Sequence, residues 1–196
     1  HRSGEGAIEA GIQRWPVRAH SLEFLADRLF YFIHGRGTFR GGSGETIAAE
    51  PGMVVHVKSG WSGELAVIET LDASYMQCPG SAGAPLTLRD AINAAPLKDW
   101  GVIPTMIEGS SRTAGILLSR DADGRAESGL WTCTPGLWRC EVTRDEFCHF
   151  LEGRCTYTHK DGERIEIAPN TVAFFPAGWS GRCEVRQTVR KIYMIR

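Results

Sequence analysis

Gly60-Trp61-Ser62-Gly63 returns unchanged as Gly178-Trp179-Ser180-Gly181, a displacement of 118 residues. The same displacement sets Gly35-Arg36 on Gly153-Arg154 and Gly44-Glu45 on Gly162-Glu163, with no gap needed. Residues 28–76 and 146–194 share 17 identities in 49 positions, where ordinary compositions give roughly one in sixteen by chance. The halves are therefore duplicated modules, of a size in which a small core can form.

Within each copy the residues read as short strands rich in Phe, Tyr, Val, Ile and Thr, broken by Gly, Pro, Asp and Asn. Phe147 to Leu151 runs into Gly153, and Cys155 to Thr158 leads to a Lys160-Asp161-Gly162 turn, where glycine supplies the positive φ of a hairpin. Arg164-Ile165-Glu166-Ile167 alternates with period two, and Val172 to Phe175 is an apolar run stopped by Pro176. Strands of this length and spacing predict an all-β sandwich or barrel. Between the copies, Pro79 to Pro85 reads as a loop, and Thr87-Leu88-Arg89-Asp90 as a capping box opening a short helix to about Ala95. The expected organisation is a module over 1–78, a linker with a short helix over 79–112, and a second module over 113–196.

Net charge is −1, and neither a basic run nor a basic-aromatic strand is present, which argues against nucleic acid as a partner. No apolar run approaches a membrane span, and His1 to Gly6 lacks the apolar centre of a signal peptide. The six cysteines show no CxxC spacing, so neither a zinc knuckle nor a disulfide scaffold is expected. These features predict a reduced, cytoplasmic protein that takes a small-molecule ligand, with no membrane partner.

The order Gly136-Leu137-Trp138-Arg139-Cys140-Glu141-Val142, Asp145-Glu146, Leu151-Glu152-Gly153, Asp161-Gly162, Phe175-Pro176, Gly178-Trp179 and Arg190-Lys191-Ile192-Tyr193 resembles the ureidoglycine aminohydrolase-like cupin family. The resemblance covers residues 113–196, and residues 12–78 carry it through the repeat. It implies two tandem double-stranded β-helix barrels of the jelly-roll type, a bicupin, and a homodimer. It also implies where a metal would sit. The positions of the general two-histidine, carboxylate, histidine pattern fall on Cys140, Val142, Glu146 and Gly181, and in the first copy on Leu22, Phe24, Arg28 and Gly63. Only Glu146 is a fitting ligand, so no metal cofactor is expected at the usual place. The alternative is a divalent transition metal on an unorthodox set, Cys140, Cys183 and Glu146.

If Glu146 points inward as the resemblance implies, strand parity turns Cys148 and Phe150 inward with it. The same parity groups Trp138, Cys140 and Val142, and also Trp179, Gly181, Cys183 and Val185. The expected ligand cup thus uses Trp138, Cys140, Glu146, Cys148, Trp179 and Cys183. Plain core packing is the alternative for the cysteines. Glu146 reads either as a catalytic acid or base in an apolar cup or as a rim residue turned to solvent. Arg28 reads as a grip for an anionic ligand, or as a side chain reaching outward or pairing with Glu23 or Asp27. The remaining histidines show no ligand spacing, and the Gly-Trp-Ser-Gly repeat reads as a tight turn with an anchoring aromatic.

The leading functional expectation is a bicupin that binds a small metabolite in its C-terminal module. An enzyme of small nitrogen-compound metabolism using Glu146 is the alternative. A ligand-sensing part of a regulator ranks last, because no helix-turn-helix is evident.

Overall fold

The computed structural model describes residues 9–78, 86–89, 96–120, 124 and 126–196, with backbone only at 78 and 86–89. Every regular element among them is a β-strand, and the chain divides into two compact units, His1–Ala95 and Pro96–Arg196. The first unit holds β1 (Glu9–Trp15), β2 (Ala19–Glu23), β3 (Asp27–Gly41), β4 (Thr46–Ala49), β5 (Val54–Val57), β6 (Ser62–Cys78) and β7 (Leu86–Arg89). Its sheet runs β1-β6-β3-β5-β7, with β2 paired to β6 and β4 to β3.

The second unit holds β8 (Lys98–Val102), β9 (Met106–Gly109), β10 (Arg112–Arg120), β11 (Glu127–Cys133), β12 (Gly136–Glu141) and β13 (Glu146–His159). It is completed by β14 (Arg164–Ile167), β15 (Val172–Phe175) and β16 (Ser180–Ile195). Its sheet runs β14-β13-β16-β11-β10-β8, with β12 on β16 and β9, and β15 on β13. Displaced by 118, β1 falls on β11, β4 on β14 and β5 on β15, residue for residue. The pairings repeat as well, Arg28 opposite Val57 and Glu146 opposite Phe175.

The duplicated glycines mark where the long strands bend. The β3–β6 ladder slips register between Phe32 and Gly37, and the β13–β16 ladder between Phe150 and Cys155. Gly35 and Gly153 sit there with φ of 84° and 86°, and a Cβ on either would run into the Thr70 or Thr188 carbonyl. The bend lets β13 pair with β15 over its first half and with β14 over its second, which is how one strand curls around a core. The Gly-Trp-Ser-Gly repeats are tight turns, as the sequence suggested. Gly60 and Gly178 have positive φ, the Trp61 and Trp179 amides donate to the Lys58 and Pro176 carbonyls, and both indoles are buried.

The predicted linker helix is not formed where the structure describes it. Residues 86–89 make β7, antiparallel to β5 from Val54↔Arg89 to Val57↔Leu86. The Leu86-Thr87-Leu88-Arg89 alternation has the period of a strand, and an edge strand with unpaired amides stood ready to receive it. Residues 79–85 and 90–95, including the remainder of the proposed helix, lie outside the described residues, as do 1–8. Residues 98–109 supply β8 and β9 to the second sheet. No helix among the described residues is long and apolar enough to cross a membrane.

Each unit has its own core. In the first, Phe30, Phe32 and Phe39 are fully buried, and Phe30 has the rings of Trp15, Phe24, Phe32, Phe39 and Tyr75 at 5.5–6.4 Å. Burial of each such side chain is worth about 1.5–3 kcal/mol. In the second, Phe150, Tyr157, Phe175 and Trp179 pack with buried Cys148, Cys155 and Cys183.

Candidate functional site

Residues directly opposite on neighbouring strands point to one face, so the ladders of the second unit stack its inward side chains in rows. The outermost row is Glu127, Ile195, Glu146 and Phe175; the next is Gly129, Tyr193, Cys148 and Ala173; the third is Trp131, Lys191 and Phe150. Between these rows and β12 lies a cavity of about 320 Å³. Its rings come from Trp100, Trp131, Trp138, Tyr157, Phe175 and Tyr193; Cys140, Val142 and Ile195 add apolar wall, and Glu127, Glu146 and Lys191 the charges.

The polar centre is one ion pair. Lys191 Nζ donates to Glu146 Oε1 at 2.8 Å, with side-chain exposures of 8% and 18%. Lys191 also donates to Cys148 Sγ at 3.3 Å, and the Cys148 thiol donates to Glu146 Oε1 at 3.3 Å. The ammonium lies 4.8 Å from the Trp131 ring centre and 5.6 Å from that of Phe150, a cation–π arrangement that offsets part of its lost hydration. Burial alone works against the charge on Lys191, and its neighbours Cys148 and Glu146 outweigh it, so its pKa is raised. Burial likewise raises the thiols, Cys148 well above the ordinary range and Cys140 to about 11, so they are neutral at pH 7. Glu127 is held by Arg120 at 2.9 Å and Arg144 at 3.4 Å.

Trp138, Cys140 and Glu146 line the cavity together, as parity predicted, and Glu146 faces the cup. Cys148 is wholly buried and touches the site through the Glu146 carboxylate and Lys191. Trp179 and Cys183 share the inward face but pack in the core and do not line the cavity. The Trp179 ring lies against Tyr157 and Phe175, over Gly181, whose missing side chain leaves it room. Arg28 points into the first unit's core rather than outward or to Glu23 or Asp27. It donates to Gln13 at 3.3 Å and to Gln77, and its guanidinium lies 4.9 Å from the Tyr75 ring centre.

Lys191, Glu127, Trp131 and Tyr193 are absent from the sequence-based site. The odd-numbered parity that places Cys183 and Val185 inward continues along β16 to Lys191 and Tyr193. A lysine in that position is ordinarily read as solvent-facing. Its repeat partner, the fully buried Ala73, was the available signal.

The residues do not fit the metal that cupins commonly hold. Val142 and Gly181 offer no donor atom, and the one carboxylate, Glu146, already has an ammonium at 2.8 Å. No cluster of three His, Cys, Asp or Glu side chains able to hold a metal ion occurs among the described residues, and Cys140, Cys183 and Glu146 do not form one.

Residues 120–193 match the EutQ-like cupin domain family. Solved structures share the fold over nearly the whole chain. A protein of unknown function from Pseudomonas syringae pv. tomato superposes with a TM-score of 0.82 at 18% identity, covering 97% of this chain and 82% of that one. A cupin 2 conserved barrel domain protein from Leptotrichia buccalis gives 0.72 at 10% identity, over 96% and 83%. A putative glyoxylate induced protein from Pseudomonas aeruginosa gives 0.68 at 11%, over 96% and 74%. No match is found among curated proteins. The chain has the β-barrel jelly-roll fold of the cupin superfamily.

Proposed function

We propose that the chain is a bicupin of a reducing, cytoplasmic compartment, related to the ureidoglycine aminohydrolase-like cupins, that binds a small metabolite in its C-terminal cup without a metal at the usual place. The observation that carries this reading is the contrast between equivalent rows of the two units. Where the first has Arg28, Phe30 and Ala73, the second has Glu146, Cys148 and Lys191. Phe30 is a full aromatic ring packed among five others; Cys148 is small, and the Glu146 and Lys191 side chains that it touches line a cavity of about 320 Å³. That is the low end of the usual ligand-pocket range of ~300–1,000 Å³, with the mix of apolar wall and few polar groups such pockets have. Five free cysteines in the second unit fit a reducing compartment. The first unit serves packing or a homodimer contact.

The test is native mass spectrometry of the full chain after exposure to a cell-extract metabolite fraction, with Cys148→Phe as the filled-cup variant. Wild type retains a small-molecule adduct that Cys148→Phe loses, and metal analysis finds no stoichiometric transition metal. Equal retention by both proteins, or one metal per chain, overturns the reading.

A further inference from the structure

If the cup is a binding site, as proposed above, its unused hydrogen-bonding valences define what fills it. A lysine ammonium has three N–H donors and a carboxylate two acceptor oxygens. Lys191 spends one donor on Glu146 Oε1 and one on Cys148 Sγ; the third meets no protein acceptor among the described residues. Glu146 Oε1 takes both Lys191 and the Cys148 thiol, and Oε2 receives no protein donor among the described residues. Glu127 adds no comparable valence, because Arg120 and Arg144 hold it. The cavity therefore presents one spare donor beside one spare acceptor, on an ion pair of zero net charge.

That arrangement discriminates by charge. An anion approaching Lys191 would stand beside the Glu146 carboxylate, and a cation approaching Glu146 would stand beside the ammonium. In a poorly hydrated site like charges at such range are costly. An uncharged group with an acceptor next to a donor satisfies both valences at once. The walls add shape, since the rings of Trp131, Trp138 and Tyr193 line the cavity, and aromatic walls pack a flat partner better than a bulky one.

The geometry points to a small, uncharged, planar ligand with an amide edge, its carbonyl accepting from Lys191 Nζ and its adjacent N–H donating to Glu146 Oε2. The test titrates the full chain by calorimetry or ligand-observed NMR with four compounds: 2-pyridone, N-methyl-2-pyridone, benzoate and tetramethylammonium. 2-Pyridone binds at least tenfold more tightly than the other three, because only it offers both halves of the edge without charge. Lys191→Met lowers that affinity at least tenfold. The Glu146→Gln/Lys191→Met double variant, which leaves no unpaired buried charge to unfold the cup, lowers it as well. Tighter binding of benzoate or tetramethylammonium overturns the ligand class while leaving a functional cup. Equal binding of the two pyridones overturns the hydrogen-bonding assignment. Binding of none of the four overturns this inference, and the metabolite-adduct comparison with Cys148→Phe then decides separately whether the cup binds anything.

Discussion

Lys191 and Glu146 stand among rings and thiols, and each is tolerable there because the other is present. Removing one partner of a fully enclosed pair costs about 3–5 kcal/mol, since the survivor keeps its charge without its counterion. Glu146 retains some access to water through the cavity, so Lys191→Met is expected to cost less, about 2–3 kcal/mol in urea denaturation. Adding Glu146→Gln to it should recover most of that loss. A Lys191→Met protein as stable as wild type would mean that the ammonium is not engaged with Glu146. Half of this pair was legible in the sequence. Glu146 stood out as the acid that the family resemblance turned inward, whereas Lys191 carried its information only by comparison with Ala73 and by parity followed to the end of a strand. Trp100 and Trp131 were illegible for a different reason: β8 and β11 reach the cup through ladders that no local pattern specifies.

At the scale of the element, the bend of β13 is the feature on which the cup depends, because it turns the strand from β15 to β14. Two glycines of this region separate the physical causes. Gly162 has φ of 99° with nothing near its absent side chain, while Gly153 has φ of 86° and the Thr188 carbonyl against that side. An alanine in left-handed backbone costs roughly 1–2 kcal/mol from its own sterics. Gly162→Ala is expected to lose about that much. Gly153→Ala should lose at least about 2 kcal/mol more, because the β13–β16 ladder has to open; equal midpoints for the two in denaturant titrations would show that the bend is not sterically set. Gly153 read as a break between two short strands, Phe147 to Leu151 and Cys155 to Thr158, where the structure has a bend inside the single strand β13, because a glycine signals positive φ but not whether the ladder resumes beyond it; the turn motifs told where strands end. The linker went wrong because a capping box is a local signal, and the edge of β5, which pairs residues 86–89, is a tertiary one.

Across the whole molecule, each unit encloses one histidine that burial keeps neutral. His56 in the first unit is pushed down to about 4, by burial and then by Lys58, against the pull of Asp27. His149 in the second is pushed down to about 4 by burial, against a hydrogen bond with Asn170. An unfolded histidine takes its proton near 6.5. Between about pH 6.5 and 4 the unfolded chain therefore binds more protons than the folded one, so stability falls as pH falls through that window and levels off below it. The ceiling is on the order of 3 kcal/mol for each ring. The carboxylates of Asp99, Asp161 and Glu166, whose pKa values are lowered, sit at the surface, where water screens their pairs and leaves little for acid to remove. The two histidines should thus dominate the acid side in both units. Denaturation at pH 7.0 and 4.5 is expected to show a loss in wild type that His149→Gln reduces and His56→Gln/His149→Gln reduces further. If the double variant loses as much as wild type over the same interval, the rings are not held neutral inside the fold, and acid sensitivity has to come from the carboxylates.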